Sequence, residues 1–563
     1  MVSMSEPAER PTHGRNLVKF GRILSTQLDM QVSLCRELAL SSPWNISAAD
    51  ISARDIGTLP GPDPPCSAAV WDDDPAFPPS PTNAEDRRTN VGTAPKRTPR
   101  SLAAVVLAAG KGERLNSGTP KALHPACGRP LLWHTLQVVR AAKPQRIVVV
   151  VGHGADDVRD AVTSWGLKPA PVFVEQAELL GTGHAVQIAE KAVGKPDDVL
   201  IANGDFDPIT PADLRKLMAS HRRTGAAVTL GSTVIDAPGG YGRVVREGSR
   251  VTDVIEGRDA PPAVRRIHEV ATNWIAFRRD LLFATLPLLD RENRQREYYL
   301  NRAISILLDK GERVDAVVCD TGGILGANTR AGVTALEALL RRRVNEAHMA
   351  AGVSLIDPAA TYIDVEVRIG RDTVIYPNTF VERGSRIGAG CTIGPSAAIA
   401  RSRVGDGSVV WFSILEDADV GRGCEVGPFA RLRPGAVLED GAQIGNYVEV
   451  KASRIGKSSK AKHLAYIGNA KVGASVNIGA GTVVVNYDGY EKHPTVIADG
   501  ARIGSDTMLV APVKVGKGGV TGAGSVITKD VPAGALGVER SEQRNVKGYR
   551  KRADEKQRSK AKH

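Results

Sequence analysis

Two patterns of apolar and polar residues succeed each other along the chain. Between residues 101 and 330, short unbroken apolar runs such as AAVVLAA, RIVVVVG and DVLIANGD alternate with segments of helical periodicity such as PLLWHTLQVVRAA. Apolar runs that do not alternate with polar residues are typical of strands buried on both faces of a parallel sheet. The first pattern therefore predicts an α/β domain with a Rossmann-like, mainly parallel sheet over residues 101–330.

A single helix is predicted after this domain, over residues 331–352. Its apolar positions recur every three to four residues, at Val333, Leu336, Leu340 and Val344. That spacing places them on one face of a helix, so the segment is expected to link two folded regions.

The second pattern is a short repeat over residues 353–536, in which an aliphatic residue followed by glycine recurs at multiples of six. Ile387-Gly388 and Ile393-Gly394 are one such pair. A hexapeptide period predicts a parallel β-helix with triangular coils of about eighteen residues, whose aliphatic side chains point inward. Resemblance to other hexapeptide-repeat proteins implies the left-handed form.

The two ends of the chain differ in composition from these regions. Residues 1–100 contain the segment GTLPGPDPPCSAAVWDDDPAFPPSPTNAED, whose prolines and acidic residues predict a mostly disordered N-terminal extension. Residues 537–563 form a basic tail, with ten Lys and Arg against three Asp and Glu from Arg540 onwards, within a net charge of +12. Such a tail is expected to be a solvated, disordered end, so we assign it no nucleic-acid partner.

The cysteines and the apolar runs indicate the compartment. The six cysteines are scattered and include no C-x-x-C pair, so neither a zinc knuckle nor a disulfide framework is predicted. No apolar run approaches the roughly 18 to 20 residues of a membrane helix, and the first residues contain no apolar signal core. A cytoplasmic protein without a membrane partner is expected.

A candidate phosphate-binding loop lies in VVLAAGKGERLNSGTPKALH, after the first apolar run. Its spacing fits neither a P-loop, because Ala122 follows Lys121, nor a dinucleotide loop, because Leu115 stands where a third glycine is required. A strand that ends in Ala-Ala-Gly still lets backbone N–H groups approach an anion. Lys111, Arg114 and Lys121 are then within reach of that anion.

Further polar motifs follow other predicted strands of the same domain. Gln176 and the Gly181 to Gly183 triplet lie in EQAELLGTGHA, and Asp205 ends IANGD. Loops at the carboxyl ends of strands bind ligands in open sheets, and a carboxylate there is a candidate ligand for Mg²⁺ that accompanies a nucleotide phosphate. The motif GYGR follows at residues 240–243.

The order of these motifs, together with LAAGKGER and PKALH, resembles the sugar-nucleotide pyrophosphorylases. The second half narrows the resemblance through GPFARLRPG, GNYVEVKAS, AKHLAYIGNAKVGASVNIGAGTVVVNYDG and GSDTMLVAPV. The chain resembles, over residues 102–550, the bifunctional N-acetylglucosamine-1-phosphate uridylyltransferase/glucosamine-1-phosphate acetyltransferases of bacteria, in an actinobacterial-like form. The resemblance implies acetyl transfer from acetyl-CoA to glucosamine-1-phosphate, then uridylyl transfer from UTP with release of pyrophosphate.

The resemblance also implies the residues of the uridylyl site. Those expected to bind the nucleotide and the sugar are Leu107, Ala108, Ala109, Gly110, Arg114, Lys121, Gln176, Gly181, Thr182, Asn203, Gly204, Gly242, Glu256 and Ala271. Asp205 and Asn328 would hold Mg²⁺. The reaction is in-line attack of the sugar phosphate on the α-phosphorus of UTP, so the protein mainly positions the substrates and neutralises charge.

In the acetyl site the resemblance implies that His463 is the general base, a role that suits a histidine titrating near neutrality. The residues expected to bind the amino-sugar phosphate are Arg433, Lys451, Tyr466, Asn477, Asn486 and Tyr487. Those expected to line the coenzyme A site are Ala480, Ser505, Ala523 and Arg540. The family also implies a homotrimer whose acetyl sites are shared between subunits.

The uridylyl half departs from the family pattern at several positions. Asp207 stands where the family has proline, Ala271 and Asn273 replace an asparagine and a glycine of the sugar contact, and Arg302 stands where an aspartate is usual. Two alternatives therefore stay open: an acetyltransferase with a weakened nucleotidyltransferase domain, and a non-catalytic assembly subunit. A trimeric zinc enzyme is excluded, because it needs three histidines and residues 353–531 contain only His463 and His493.

Overall fold

The computed structural model describes residues 100–323 and 326–561. The N-terminal extension that the sequence predicts therefore lies outside the described residues, except for its last residue. No helix of the described ranges is long and apolar enough to span a membrane.

The α/β domain is built on one mixed sheet. The strands of the domain are β1 (Leu102–Ala108), β2 (Pro125–Ala126), β3 (Arg129–Pro130), β4 (Arg146–Val151), β5 (Val172–Glu175), β6 (Asp198–Asn203), β7 (Val228–Val234), β8 (Arg243–Glu247), β9 (Arg250–Ile255), β10 (Glu269–Arg278) and β11 (Val314–Val318). Strands β2 and β3 form a small separate hairpin, and the other nine form the mixed sheet. The strand order is β11-β7-β10-β6-β1-β4-β5, and β8 and β9 join at the side of β10. The sheet is mainly parallel, as predicted, although β10 runs antiparallel to both of its neighbours.

The helices lie between these strands and after them. They are α1 (Leu131–Ala141), α2 (Ala155–Ser164), α3 (Thr182–Ile188), α4 (Glu190–Val193), α5 (Pro211–Thr224), α6 (Pro262–Arg265), α7 (Arg279–Thr285), α8 (Leu300–Asp309), α9 (Arg330–Ala350) and α10 (Tyr549–Lys560). Short 3-10 turns occur at Glu113–Leu115, Lys121–Leu123 and Leu286–Leu288.

The unbroken apolar runs form the middle of the sheet because both of its faces are covered. Alternate residues of β1 enter two separate cores: Ala104 and Val106 lie in one, and Ala103 and Val105 lie in the other. Since β1 pairs in parallel with β4 and β6, the carboxyl ends of these three strands meet at one edge of the sheet. The loops at this edge carry the sequence-predicted phosphate and metal residues.

Helix α9 occupies the segment that the apolar spacing predicts as a linking helix. The side chain of Thr329 caps its start by accepting a hydrogen bond from the backbone N–H of Gly332 at 3.1 Å. Leu336 and Leu340 are buried against the α/β core, and Val344 contacts the core of the repeat region. One helix thus packs against both folded regions.

The repeat region is a left-handed parallel β-helix of three sheets. Sheet I contains Ser354–Leu355, Val374–Ile375, Thr392–Ile393, Val409–Val410, Glu425–Val426, Gln443–Asn446, Lys460–His463, Asn477–Ile478, Arg502–Ile503, Val520–Thr521 and Leu536–Gly537. Sheet II contains Thr361–Ile363, Thr379–Val381, Ala398–Ala400, Ile414–Glu416, Arg431–Leu432, Glu449–Lys451, Tyr466–Gly468, Val483–Val485, Met508–Val510 and Val526–Ile527. Sheet III contains Arg368–Ile369, Arg386–Ile387, Arg403–Val404, Asp419–Val420, Val437–Leu438, Arg454–Ile455, Ala470–Val472, Thr495–Ile497 and Val513–Val515.

The aliphatic residue of each repeat fills the interior of the coil. In sheet I, Ile375 pairs with Ile393, which pairs with Val410, and all three are fully buried. The same column continues through Val426 and Ile444. Successive coils therefore stack with their apolar residues in register, which confirms the fold that the hexapeptide spacing predicts.

One coil is longer than the others. Ile455 pairs with Val472, seventeen positions later, whereas Val472 pairs with Ile497, twenty-five positions later. The extra residues form a loop over 486–494, which we call the acceptor loop. The sheets on both sides of this loop keep their parallel register.

The basic tail differs from the expectation that it is disordered. Residues 549–560 form α10, whose residues are almost all exposed. Its sequence, YRKRADEKQRSK, is rich in strong helix formers, and Arg550 pairs with Asp554 one turn later at 3.1 Å. Helix propensity and this ion pair therefore outweigh the net charge of the segment.

Candidate active sites

The phosphate loop leaves the sheet at the end of β1. Ala108 and Ala109 are buried, whereas Gly110 and Lys111 are exposed. Gly112 adopts a positive φ of 67°, and a Cβ at this position would lie 2.7 Å from the Cβ of Lys121. The loop therefore requires glycine here, because it folds directly onto Lys121.

Lys121 joins the two residues expected to hold a metal. Its Nζ donates to Oδ2 of Asp205 at 2.5 Å and to Oδ1 of Asn328 at 2.7 Å. Arg114 also donates to Oδ1 of Asn328, at 3.2 Å. The structure thus brings together four predicted residues that are as much as 214 positions apart in the sequence.

The donor set at this edge fits a divalent cation that also binds nucleotide phosphates. Carboxylate and amide oxygens are the ligands that Mg²⁺ prefers, and phosphates usually complete its coordination. Oδ1 of Asp205 is buried and accepts no hydrogen bond, and the same holds for Oδ1 of Asp207. The described residues contain no group of three or more His, Cys, Asp or Glu arranged to enclose a metal. A site that shares its cation with a substrate agrees with both observations.

The candidate uracil site lies where β5 passes into α3. Gln176 is buried, and its Nε2 donates to the carbonyl of Gly181 at 3.1 Å. A Cβ at Gly181 would lie 2.7 Å from the carbonyl oxygen of Tyr298, and Thr182 Oγ1 accepts from the backbone N–H of Leu300 at 3.1 Å. The turn is therefore held between Gln176 and the chain that leads into α8.

Asn203 and Gly204 lie between the phosphate loop and the metal residues. Asn203 pairs with Leu107 across the sheet, and the N–H of Gly204 donates to the carbonyl of Leu107 at 2.8 Å. A Cβ at Gly204 would meet that oxygen at 3.1 Å. The absence of a side chain at Gly204 lets the backbone pass close to Leu107, so that Asp205 lies near the start of the phosphate loop.

The candidate sugar site contains one residue that the sequence did not indicate. Nδ2 of Asn301 donates to Oε1 of Glu256 at 2.7 Å. A Cβ at Gly242 would lie 3.1 Å from the same Nδ2 and 3.8 Å from the Cβ of Ala271. An amide from α8 and Ala271, the position at which the family pattern has an asparagine, therefore both lie close to Gly242.

The side chain of Glu256 is mostly enclosed by this arrangement. Burial raises the pKa of Glu256 above its ordinary value, and the hydrogen bond from Asn301 opposes that rise. The amide of Asn301 therefore favours the charged carboxylate, which can accept hydrogen bonds from sugar hydroxyls.

Two of the departures from the family pattern contact each other. Oδ2 of Asp207 accepts from the backbone N–H of Asn273 at 2.7 Å and from its Nδ2 at 2.9 Å. Burial, followed by the charge of Asp205, raises the pKa of Asp207 to about 7. Asn273 lies in an irregular stretch of β10, where the pairing with β7 shifts between Ala271 and Ile275. The Asn273 amide is therefore bound to Asp207.

The fourth departure, Arg302, lies at the surface. Arg302 is exposed, and its Nε is 3.6 Å from Oδ2 of Asp290. This arginine therefore pairs with a surface carboxylate.

The candidate acceptor site of the β-helix contains several cations. Arg433 donates to Oε1 of Glu449 at 2.7 Å, and the phenol of Tyr466 is near enough to interact with its charge. Hydrogen bonding with Lys492 and the charge of that residue lower the pKa of Lys451 below its ordinary value. Three cations from separate coils thus surround one region, which favours binding of a phosphate.

The acceptor loop supplies part of this region. Nδ2 of Asn486 donates to Oδ1 of Asn469 at 2.7 Å. A Cβ at Gly468 would lie 2.6 Å from the hydroxyl of Tyr466 and 2.7 Å from Nδ2 of Asn486. Glycine at this position therefore lets the phenol and the amide approach each other. Tyr487 is exposed, and its hydroxyl donates to the carbonyl of Gly489 at 2.6 Å.

Asp488 stabilises the acceptor loop. Its Oδ1 accepts from the backbone N–H groups of Tyr490 at 2.8 Å and Glu491 at 2.7 Å. Its Oδ2 lies 2.7 Å from Nε2 of His493. These hydrogen bonds with the backbone and with His493 hold the pKa of Asp488 far below its ordinary value.

His463 ends its strand of sheet I next to the acceptor site. It is exposed, and it pairs across the sheet with Asn446. Leu464 follows with a positive φ of 46° and is exposed as well. Asn477, on the next strand of the same sheet, pairs with Lys460. The imidazole of His463 is thus accessible, with an apolar side chain beside it.

The predicted coenzyme A residues lie on one edge of successive coils. The N–H of Asp506 donates to the carbonyl of Ala480 at 2.7 Å, and that of Gly524 donates to the carbonyl of Ser505 at 2.8 Å. Arg540 Nη1 donates to the carbonyl of Ala523 at 3.0 Å. The four residues therefore form one continuous edge along the β-helix.

Comparison with known proteins agrees with both halves. Residues 104–298 match the MobA-like NTP transferase domain family. The chain is 45% identical over 441 residues to the bifunctional protein GlmU of Heliobacterium modesticaldum, covering 78% of this chain and 95% of that protein. It is 44% identical to the GlmU of an Exiguobacterium species, covering 80% and 99%, and 42% identical to that of Streptomyces avermitilis, covering 80% and 94%.

The chain belongs to the GlmU family. It is a bifunctional transferase, and the two activities that the sequence predicts are both supported: N-acetylation of glucosamine-1-phosphate and uridylyl transfer to N-acetylglucosamine-1-phosphate. Neither the weakened-domain alternative nor the assembly-subunit alternative is favoured by these relatives.

Sequence reasoning missed Asn301, Lys492 and the contact between Asp207 and Asn273. Lys492 could have been found, because it follows the NYDG motif within the same short loop. Asn301 adjoins Arg302, a departure that the sequence did indicate, but the sequence gives no sign that α8 points toward Glu256. The Asp207–Asn273 contact joins positions 66 residues apart and depends on the irregularity in β10.

Proposed function

We propose that this chain makes UDP-N-acetylglucosamine in two steps, with the residues assembled above as its two active sites. The observation that carries the proposal is the Lys121–Asp205–Asn328 contact at the end of the phosphate loop. It joins a phosphate-binding cation to two oxygen ligands for Mg²⁺, as transfer of a nucleotidyl group requires. The cation cluster of the β-helix supports the first step in the same way.

In the first step, the amine of glucosamine-1-phosphate attacks the thioester carbonyl of acetyl-CoA. Arg433, Lys451 and Lys492 hold the sugar phosphate, and Tyr466 and Asn486 orient the sugar ring. His463 accepts the proton that the amine loses as the N–C bond forms. The C–S bond breaks, the leaving sulfur takes up the proton held by His463, and coenzyme A leaves as a thiol along the edge that contains Ser505 and Arg540.

In the second step, a phosphate oxygen of N-acetylglucosamine-1-phosphate attacks the α-phosphorus of UTP, the bond from that phosphorus to the oxygen bridging the β-phosphate breaks, and pyrophosphate leaves. Backbone N–H groups of the phosphate loop, with Arg114 and Lys121, bind the triphosphate. Mg²⁺ held by Asp205 and Asn328 would neutralise charge on the phosphates. Glu256 and Asn301 orient the sugar, and no side chain is required to move a proton.

We also propose that the protein is a homotrimer. Phe412, Phe429 and Tyr447 follow one another along a corner of the β-helix. The Phe412 and Phe429 rings are tilted, with centroids 5.7 Å apart, and the Phe429 and Tyr447 rings stack, with centroids 5.4 Å apart. We call this exposed row the aromatic ladder, and it continues to Leu464 beside His463. Exposed apolar surface of this extent is typical of an interface, and a second subunit there would complete the acetyl site.

The cytoplasm is the proposed compartment. The four cysteines of the described residues, Cys127, Cys319, Cys391 and Cys424, are buried and unpaired. Thiols that stay unpaired are typical of a reducing environment.

One experiment tests the two-step proposal. Full-length protein is incubated with glucosamine-1-phosphate, UTP and Mg²⁺, with and without acetyl-CoA, and free thiol and pyrophosphate are followed separately. We expect thiol release whenever acetyl-CoA is present, and pyrophosphate release only then. With N-acetylglucosamine-1-phosphate, pyrophosphate release should not require acetyl-CoA. Absence of either product with the matching substrate would contradict the proposal.

A further inference from the structure

Asp207 is a buried carboxylate that uses only one of its oxygens. The side chain is 1% exposed. Oδ2 accepts both hydrogen bonds from Asn273, and Oδ1 accepts none. A buried carboxyl oxygen without a hydrogen-bond partner is costly, and a cation close to it would offset that cost.

The free oxygen lies on the same side of the site as the proposed metal ligands. Gly326 precedes Asn328 by two residues and has a positive φ of 54°. A Cβ there would lie 3.5 Å from Oδ1 of Asp207, 3.3 Å from Oδ2 of Asp205 and 3.2 Å from Nδ2 of Asn328. The three polar groups therefore converge on one small region, which the glycine leaves free of a side chain.

Two carboxylates lie close together in this region, and each has an oxygen without a hydrogen-bond partner. Lys121 binds Oδ2 of Asp205 at 2.5 Å, whereas Oδ1 of Asp205 and Oδ1 of Asp207 are buried and accept no hydrogen bond. A divalent cation there would satisfy the free oxygens of both aspartates.

We propose that Asp207 supplies a third protein oxygen to the divalent cation, beside those of Asp205 and Asn328. This inference rests on the proposed function, because it presupposes the cation at Asp205. The hydrogen bonds from Asn273 then serve to orient the Asp207 carboxylate, which explains why these two departures from the family pattern are in contact.

The competing interpretation is that Asp207 only anchors β10 through Asn273. Two variants separate the interpretations. Asp207→Asn removes the charge but keeps a carbonyl oxygen that can accept from Asn273. Asn273→Ala removes the side-chain hydrogen bond but keeps the carboxylate and the backbone N–H that it binds.

The test measures binding of Mn²⁺ by electron paramagnetic resonance, with full-length protein and without nucleotide. Loss of a metal-orienting group typically weakens metal binding by about 10 to 100-fold, and we expect a loss in this range for Asp207→Asn. Asn273→Ala should weaken binding by less than Asp207→Asn does. Asp205→Ala is the reference for loss of a proposed ligand, and a melting curve with circular dichroism verifies that each variant is folded.

The outcomes distinguish this inference from the proposed function. If Asp205→Ala binds Mn²⁺ as the parent does, the proposed metal site is wrong. If Asp205→Ala binds weakly but Asp207→Asn binds as the parent does, only the role of Asp207 is overturned. Should Asp207→Asn not fold, Asp207→Ser, which keeps an oxygen acceptor in a smaller side chain, takes its place under the same criteria.

Discussion

His463 is the single side chain on which acetyl transfer should depend most. Replacing it with alanine removes the group that accepts the amine proton, while its exposed position means that little packing is lost. We expect His463→Ala to lower thiol release by about 10² to 10⁴-fold, the usual range for a positioned general base. Pyrophosphate release from N-acetylglucosamine-1-phosphate should stay unchanged, since that site lies in the other domain. Loss of both activities would mean that the residue is structural.

We expect the amide of Asn301 to make the hydrogen bond to the sugar that an asparagine at position 271 would make in the family pattern. Removal of one hydrogen bond to a buried sugar group costs about 1 to 3 kcal/mol, so Asn301→Ala should lower kcat/KM for the sugar phosphate by roughly 5 to 150-fold. The KM for UTP should change little. Both constants are measured from initial rates of pyrophosphate release.

The matched control is the double variant that combines Ala271→Asn with Asn301→Ala. Asn at position 271 alone should crowd the amide of Asn301, because a single Cβ at Gly242 would be close to both side chains. The double variant removes that conflict and should recover part of the lost activity. If the double variant is no better than Asn301→Ala, the two positions do not share one contact.

At this scale the sequence predicts some residues well and others not at all. Residues inside a long local motif, such as His463, are recognisable because their neighbours fix their position in the coil. Asn301 is different, since its contact with Glu256 depends on how α8 packs across β9. A partner from a distant element is set by tertiary packing, which a local pattern does not report.

Among the structural elements, the acceptor loop should respond to the loss of Asp488. Asp488→Ala removes two backbone hydrogen bonds and the partner of His493, so Asn486 and Lys492 should be less well positioned. We expect a higher KM for glucosamine-1-phosphate with little change in Tm, because the loop is at the surface. Asp499→Ala removes an exposed carboxylate that accepts from the backbone N–H of Ala474 outside the loop, and this control should leave the KM nearer to the parent value.

The same carboxylate sets the pH range over which the acceptor loop stays ordered. The folded pKa of Asp488 is depressed, so its contribution is fully present above the ordinary carboxyl value of about 4 and is lost as pH falls through the folded value. Hydrogen exchange of residues 486–494 should therefore change little between pH 7 and 5, after correction for the intrinsic rate. Faster exchange of these residues in Asp488→Ala than in the parent would support the role of Asp488 in ordering the loop. Equal exchange in the parent and in Asp488→Ala would contradict that role.

The elements themselves were largely predictable. Continuous apolar runs predict β1, β4 and β6, and the hexapeptide spacing predicts the β-helix. In both cases the positions of the apolar residues in the sequence are the positions whose side chains the strands bury. The antiparallel β10 was not predicted, since EVATNWIAFR is as apolar as a parallel strand and direction is decided by connections. The helix α10 was missed because helix propensity outweighed charge.

For the whole molecule, the first prediction concerns assembly. Phe429 lies in the middle of the aromatic ladder and has a positive φ of 59°, a conformation that aspartate tolerates better than most residues. Phe429→Asp should place a charge in the subunit interface and shift a trimer to monomers in sedimentation velocity. Acetyl transfer should fall with it, whereas uridylyl transfer should remain. A parent that sediments as a monomer at micromolar concentration would contradict the homotrimer.

The second concerns the N-terminal extension, whose first 99 residues lie outside the described ranges. We expect a chain that begins at Pro99 to keep both activities and the parent Tm. A chain that begins at Leu102 is the control, because it also removes Arg100, which donates to the buried Asp198 at 2.6 Å. Its Tm should fall by several degrees, since a buried carboxylate that loses one of its hydrogen-bond partners costs about 1 to 3 kcal/mol. A lower Tm for the Pro99 chain would show that the extension packs on the domains.

The acceptor loop also has a consequence for engineering. It leaves the β-helix between strands that stay in register before and after it, so the coil does not depend on its length. Loops of other lengths and sequences could therefore be grafted between Val485 and Thr495 without remaking the scaffold. The choice of acceptor could then be altered separately from the donor edge formed by Ala480, Ser505 and Ala523, which belongs to the coils.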